Sequence, residues 1–83
     1  MSLERGLVVK SLKGRDAGRL LAVISVKPNC VEVCDGKERK LQKPKSKNLK
    51  HIEPTVHKMN EEDLAYDGRL RKALNRLENS VSL

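Results

Sequence analysis

Two runs of β-favouring apolar residues, Leu7-Val8-Val9 and Leu20-Leu21-Ala22-Val23-Ile24, are separated by a short polar segment punctuated by Gly14 and Gly18. This arrangement constrains the chain more than any other feature, because two apolar strands so close in sequence must turn back on each other to share a buried face. A sharp turn uses backbone at positive φ, which glycine adopts without the clash a Cβ brings. Between and just after the glycines stand Arg15 and Arg19, whose planar guanidinium groups match the oxygens of a phosphate and stay charged at physiological pH. With Lys13 just before them, they read as one cationic cluster held out on a rigid turn.

The charge of the whole chain agrees with that reading. Eighteen Lys and Arg against eleven Asp and Glu leave a net charge of +7 on 83 residues. A domain this basic is suited to a polyanion. The charge is also concentrated: Lys37, Arg39, Lys40, Lys43, Lys45, Lys47 and Lys50 fall between residues 37 and 51 with a single acid, Glu38. A solvated flexible face would account for the composition alone, but the alternating neighbours favour a binding edge over a disordered tail.

Composition limits both the core and the way a nucleic acid could be read. The chain has no Trp or Phe, and Tyr66 is its only aromatic. One small aliphatic core is therefore expected, with a stability of about 3–5 kcal/mol as in other small scaffolds. Proteins that read unpaired bases by stacking use exposed aromatic platforms, so contacts to the phosphates and shape of a folded RNA are the more natural mode. No run approaches the roughly 20 apolar residues of a membrane-spanning helix, and no apolar leader opens the chain, so a cytoplasmic protein without membrane contact is expected.

Cys30 and Cys34 do not make a disulfide framework. In the run Cys30-Val31-Glu32-Val33-Cys34 the alternation implies a strand, which would separate the two positions by about 13 Å and prevent both a bridge and a shared metal. They read as small, partly buried hydrophobes. His51 and His57 lack the partners that acid-base or metal chemistry needs. Gly14 and Gly18 lack the Gly-Lys-Ser/Thr ending and the following helix of a nucleotide-binding loop. No enzyme, metal or cofactor is expected.

Along the chain, strands are expected at Leu7 to Ser11, with Leu7 and Val9 inward, at Leu20 to Val26, apolar on both faces and so central, and at Cys30 to Cys34. Asp35-Gly36 predicts a tight hairpin into a further strand over Arg39 to Lys43. Pro44 marks an edge or bend. Leu49 and Ile52 anchor a turn and a short closing strand. Asn60-Glu61-Glu62-Asp63 carries a helix-start signal, and Leu70, Leu74, Leu77 and Val81 form a helical stripe. Gly68 interrupts that helix, so a helical turn followed by a second helix from about Gly68 to Asn79 fits equally well. Short strands joined by tight turns suggest a mainly β fold rolled into a small, partly open barrel.

The segment Gly6 to Ile24 resembles a KOW motif, the strand-loop-strand element of many ribosomal proteins and some transcription factors. It is similar to the KOW proteins of archaeal and eukaryotic large ribosomal subunits, the fourteen-e type, whose Gly-Arg-x-Ala-Gly-Arg loop is answered by Gly14 to Arg19. Their Asn-aliphatic-x-His-aliphatic-Glu-Pro-Thr segment is answered by Asn48, Leu49, His51, Ile52, Glu53, Pro54 and Thr55. The chain also resembles small bacterial KOW-domain RNA-binding proteins. The resemblance covers Gly6 to Thr55 and implies an SH3-like β-barrel that packs on RNA, with Gly18 at the motif's characteristic glycine.

These readings predict an SH3-like barrel of the KOW type over residues 5–55 and a C-terminal helical extension over 56–83. The expected function is non-catalytic binding of structured, ribosomal RNA through phosphates. Lys13, Arg15 and Arg19 form one cluster; Lys37, Arg39, Lys40, Lys43, Lys45, Lys47 and Lys50, with His51, form another. Gly14, Gly18 and Gly36 shape the turns, and Asp16 serves as a turn former or as an orienting partner for an arginine. The alternative is a protein-interaction module of transcription or translation that uses the barrel surface or the C-terminal helix.

Overall fold

The computed structural model describes residues 3–81. Five strands form one antiparallel sheet: β1 (Leu7–Ser11), β2 (Leu20–Val26), β3 (Cys30–Cys34), β4 (Lys45–Asn48) and β5 (Ile52–Lys58). A single 3₁₀ turn, Leu49–His51, joins β4 to β5, and a helix, α1 (Asp67–Val81), ends the described chain. The strand order is β4-β3-β2-β1-β5.

The sheet is open, which corrects the expected SH3-like barrel. β4 and β5 follow one another in sequence yet lie on opposite edges, and neither pairs with the other. The barrel was expected because apolar strands must hide their faces, and rolling up is one way to do so. Here a helix covers one face instead. Val8, Leu20, Ala22 and Cys34 pack against Leu64, Leu70, Ala73 and Leu74 of the C-terminal segment. Burying each leucine contributes roughly 2 kcal/mol, so α1 and the sheet depend on each other.

The opposite face gathers Leu7, Val9, Leu21, Val23, Val31, Val33 and Ile52. Alternate residues of β1 and β2 therefore enter different clusters. The register sets this division, pairing Val8 with Ala22 and Val9 with Leu21. Leu7 and Val9 are inward as expected, and Val8 is equally buried because the helix lies on its side.

The expected strand over Arg39 to Lys43 is absent. The Asp35 carboxylate accepts from the backbone N–H groups of Lys37 and Arg39, both at 2.9 Å, while the N–H groups of Asp35 and Gly36 both donate to the Arg39 carbonyl at 3.1 Å. This folds residues 36–39 into a compact bend. Leu41 then packs toward the helix-side core, and the chain reaches β3 again only at Lys45, which pairs with Val33.

At the other end of the domain, the Asn60 side chain accepts from the Asp63 N–H at 2.8 Å and caps one helical turn. That turn stops before α1 begins at Asp67, so the two-part alternative describes the segment. Gly68 lies in the first turn of α1, where it weakens the helix less than it would in the middle. Leu70, Leu74 and Leu77 face the core, and the side chain of Val81 lies outside the described residues. Among the described residues no helix is long and apolar enough to cross a membrane.

Candidate nucleic-acid interface

The β1–β2 loop is closed at its base by two backbone bonds, Ser11 N–H to the Arg19 carbonyl at 2.9 Å and Gly18 N–H to the Ser11 carbonyl at 2.8 Å. Gly14 and Gly18 have φ of 91° and 87°. Within this frame Asp16 turns inward. Its Oδ1 accepts from the Ser11 hydroxyl at 2.7 Å and from the Lys47 ammonium at 2.8 Å. Lys47 also donates to the Lys13 carbonyl at 2.6 Å, and Lys45 Nζ lies 3.8 Å from Asp16 Oδ2.

Asp16 thus orients two lysines, not an arginine. β4 pairs with β3 so that Lys45 stands opposite Val33 and Lys47 opposite Val31, which brings both lysines to the face beside the loop. Burial opposes ionisation of Asp16, but the hydrogen bonds from Lys47 and Ser11 and the charges of Lys47 and Lys45 together outweigh it. The carboxyl is held below its ordinary range. Lys47 is only 6% exposed and donates to both the Asp16 carboxylate and the Lys13 carbonyl, so it braces the loop from within.

With Asp16 turned in, the two arginines remain at the surface. Arg15 is exposed and Arg19 half-buried. Together with Arg39 and Lys45 they line a cleft of about 390 Å³ between the β1–β2 loop and the 35–44 loop. Leu21 and Val33 lie beneath it, and Asp16, Asp35 and Glu38 also border it. Asp35 and Asp16 are spent on internal hydrogen bonds, which leaves Glu38 as the outward acid. Among the described residues, Arg15, Arg19 and Arg39 make no side-chain ion pair.

The remaining predicted residues are not part of that cleft. Lys13, Lys40, Lys43 and Lys50 are exposed outside its lining. Lys37 sits on the far side of Arg19, toward α1. His51 is half-buried in the 3₁₀ turn, and its carbonyl accepts from the Leu12 N–H at 2.8 Å, so its visible contribution is to hold the loop's entry.

Sequence reasoning read Asp35 with Gly36 as a turn signal but not as part of the site, where its carboxylate folds the second wall of the cleft. Cys34 is buried, and burial, reinforced by the charges of Asp67 and Asp35, pushes its thiol up to about 11. It stays protonated at neutral pH. Among the described residues no group of three His, Cys, Asp or Glu side chains is placed to hold a metal ion. No protein-family model matches the chain, and no curated protein matches it.

Proposed function

We propose that the chain is a non-catalytic RNA-binding protein that grips phosphates of a structured RNA, with ribosomal RNA as the first candidate. One observation carries the reading: Arg15, Arg19, Arg39 and Lys45 converge on a single cleft whose nearest acids are already occupied, apart from Glu38. Guanidinium groups bind phosphate oxygens bidentately, and a fixed loop holds them there at little entropic cost. The resemblance of Gly14 to Arg19 and of Asn48 to Thr55 to ribosomal proteins supplies the class of partner. A cytoplasmic site of action accompanies this reading. The alternative of protein docking through α1 gains no support, since the helix's apolar stripe is spent in the core.

The test is a titration of a structured RNA hairpin and a scrambled hairpin of equal length at several potassium concentrations. Four phosphate contacts give a log-log salt slope of about −3 to −4, and scrambling the bases while keeping the helices changes affinity less than about tenfold. Replacing Arg15 and Arg19 together by Ala weakens binding by at least about tenfold and leaves the fold intact. A flat salt response, or unchanged affinity in the double variant, refutes the phosphate cleft.

A further inference from the structure

Arg19 and Asp35 border a second crevice as well as the cleft, and this second one runs along α1 between Lys37, Arg71 and Asn75. At about 10 Å³ it encloses nothing. It is a shallow surface, continuous with the cleft through Arg19, across which an extended strand could lie. Resting on the RNA-binding reading above, we infer that the interface continues onto α1, where Arg71 and Asn75 contact the sugar-phosphate backbone of the same RNA that the cleft holds.

The two halves of this track are fastened together. Gly36 has φ of 78°, and a Cβ there would collide with the Asp67 carbonyl oxygen and stand 3.0 Å from the Arg71 backbone nitrogen. The bare glycine lets the loop that carries Lys37 and Arg39 press directly on the first turn of α1. The Leu41 N–H donates to Asp67 Oδ1 at 2.7 Å and secures the same joint. Arg71 is therefore held at a set position relative to the loop cations, and little ordering entropy is lost when a polyanion spans both.

Arg69 lies 3.6 Å from carboxylate oxygens of both Glu62 and Asp63, whereas Arg71 is exposed with no ion pair among the described residues. Asn75, one turn further on, adds an uncharged donor and acceptor on the same stripe. Glu78 borders the crevice two turns from Arg71 and closes the track with a negative charge. A nucleic-acid backbone fits this sequence of groups.

The experiment uses the full chain and the structured RNA hairpin as probe. Arg71→Ala is expected to weaken binding roughly fivefold to tenfold and to reduce the log-log salt slope by about 1. Arg76→Ala, the same loss of charge on a different face of α1, is expected to change affinity less than about twofold, and Glu78→Gln to tighten it. Equal melting temperatures confirm that each variant is folded. If Arg15→Ala with Arg19→Ala weakens binding while Arg71→Ala does no more than Arg76→Ala, the extension onto α1 is overturned and the cleft stands. If the parent binds polyglutamate better than the hairpin, the RNA reading itself falls.

Discussion

The two loops that carry the outward cations, residues 12–19 and 35–44, show similar chemistry to solvent and are held from behind by different forces. The first is braced by charge: Asp16 collects the Ser11 hydroxyl and the Lys47 ammonium beneath the turn. The second is held by its own Asp35 carboxylate and by the start of α1, where Gly36 lies against the backbone and the Leu41 N–H donates to Asp67 Oδ1. Their glycines differ accordingly. A Cβ on Gly18 would meet nothing within 4 Å, so only its φ of 87° asks for glycine, whereas Gly36 answers both a positive φ and a close approach. One kind of turn can thus rest on local conformation or on tertiary contact, and substitution separates the two.

Gly36→Ala should have the largest effect. Left-handed backbone costs an L-residue about 1–2 kcal/mol, and forcing a methyl group into filled space typically adds 1–3. A loss near 3 kcal/mol would consume most of the stability of so small a domain. Urea unfolding monitored by circular dichroism measures it, and a midpoint equal to the parent's would show that the loop does not press on α1.

Asp16→Asn comes next, because it leaves the buried Lys47 ammonium without its counter-charge. The expected cost is about 2 kcal/mol. Adding Lys47→Met to this variant removes the stranded charge and should recover part of the loss. A double-mutant cycle with no coupling between the two sites would break the claim that charge braces this loop.

The same pair sets a pH dependence. Asp16 titrates below its ordinary value of 3.8 in the folded protein, so the folded state binds that proton less readily than the unfolded chain. Its stabilisation is fully present above the unfolded carboxyl's pKa and is lost as pH falls through the lower, folded one. Acid unfolding curves of the parent and Asp16→Asn should therefore converge at low pH, while the deficit of Gly36→Ala persists. Parallel curves for the parent and Asp16→Asn would contradict this.

The smallest effect belongs to Gly18→Ala, about 1 kcal/mol, with the larger and β-branched Val costing more. If Gly18→Ala proves as damaging as Gly36→Ala, the first loop is packed against something and the contrast fails.

Local pattern was enough to determine β1, β2 and β3, which lie at Leu7–Ser11, Leu20–Val26 and Cys30–Cys34, and the positive φ of Gly14, Gly18 and Gly36. Alternation of apolar residues and the steric demands of short turns act over a few neighbours, so they can be read in order along the chain. The cap at Asn60 was legible for the same reason. The course of the chain after Gly36 was not. Asp35 folded its own backbone into a bend, and Leu41 took a place in the core, which moved the next strand to Lys45–Asn48.

Whether the sheet closed was likewise decided by tertiary structure, since a helix and a rolled sheet bury the same apolar residues and the pattern of those residues does not distinguish them. The candidate site divided along the same line. Its loop arginines were visible in the sequence, but Lys47 looks in sequence like every other lysine of its segment. The β3–β4 register places its ammonium 2.8 Å from a carboxylate 31 residues away, and so turns it from a ligand contact into a brace. The order of residues determines which side chains carry charge; long-range pairing decides which of those charges face solvent, because burial and partnership are properties of the assembled sheet and helix.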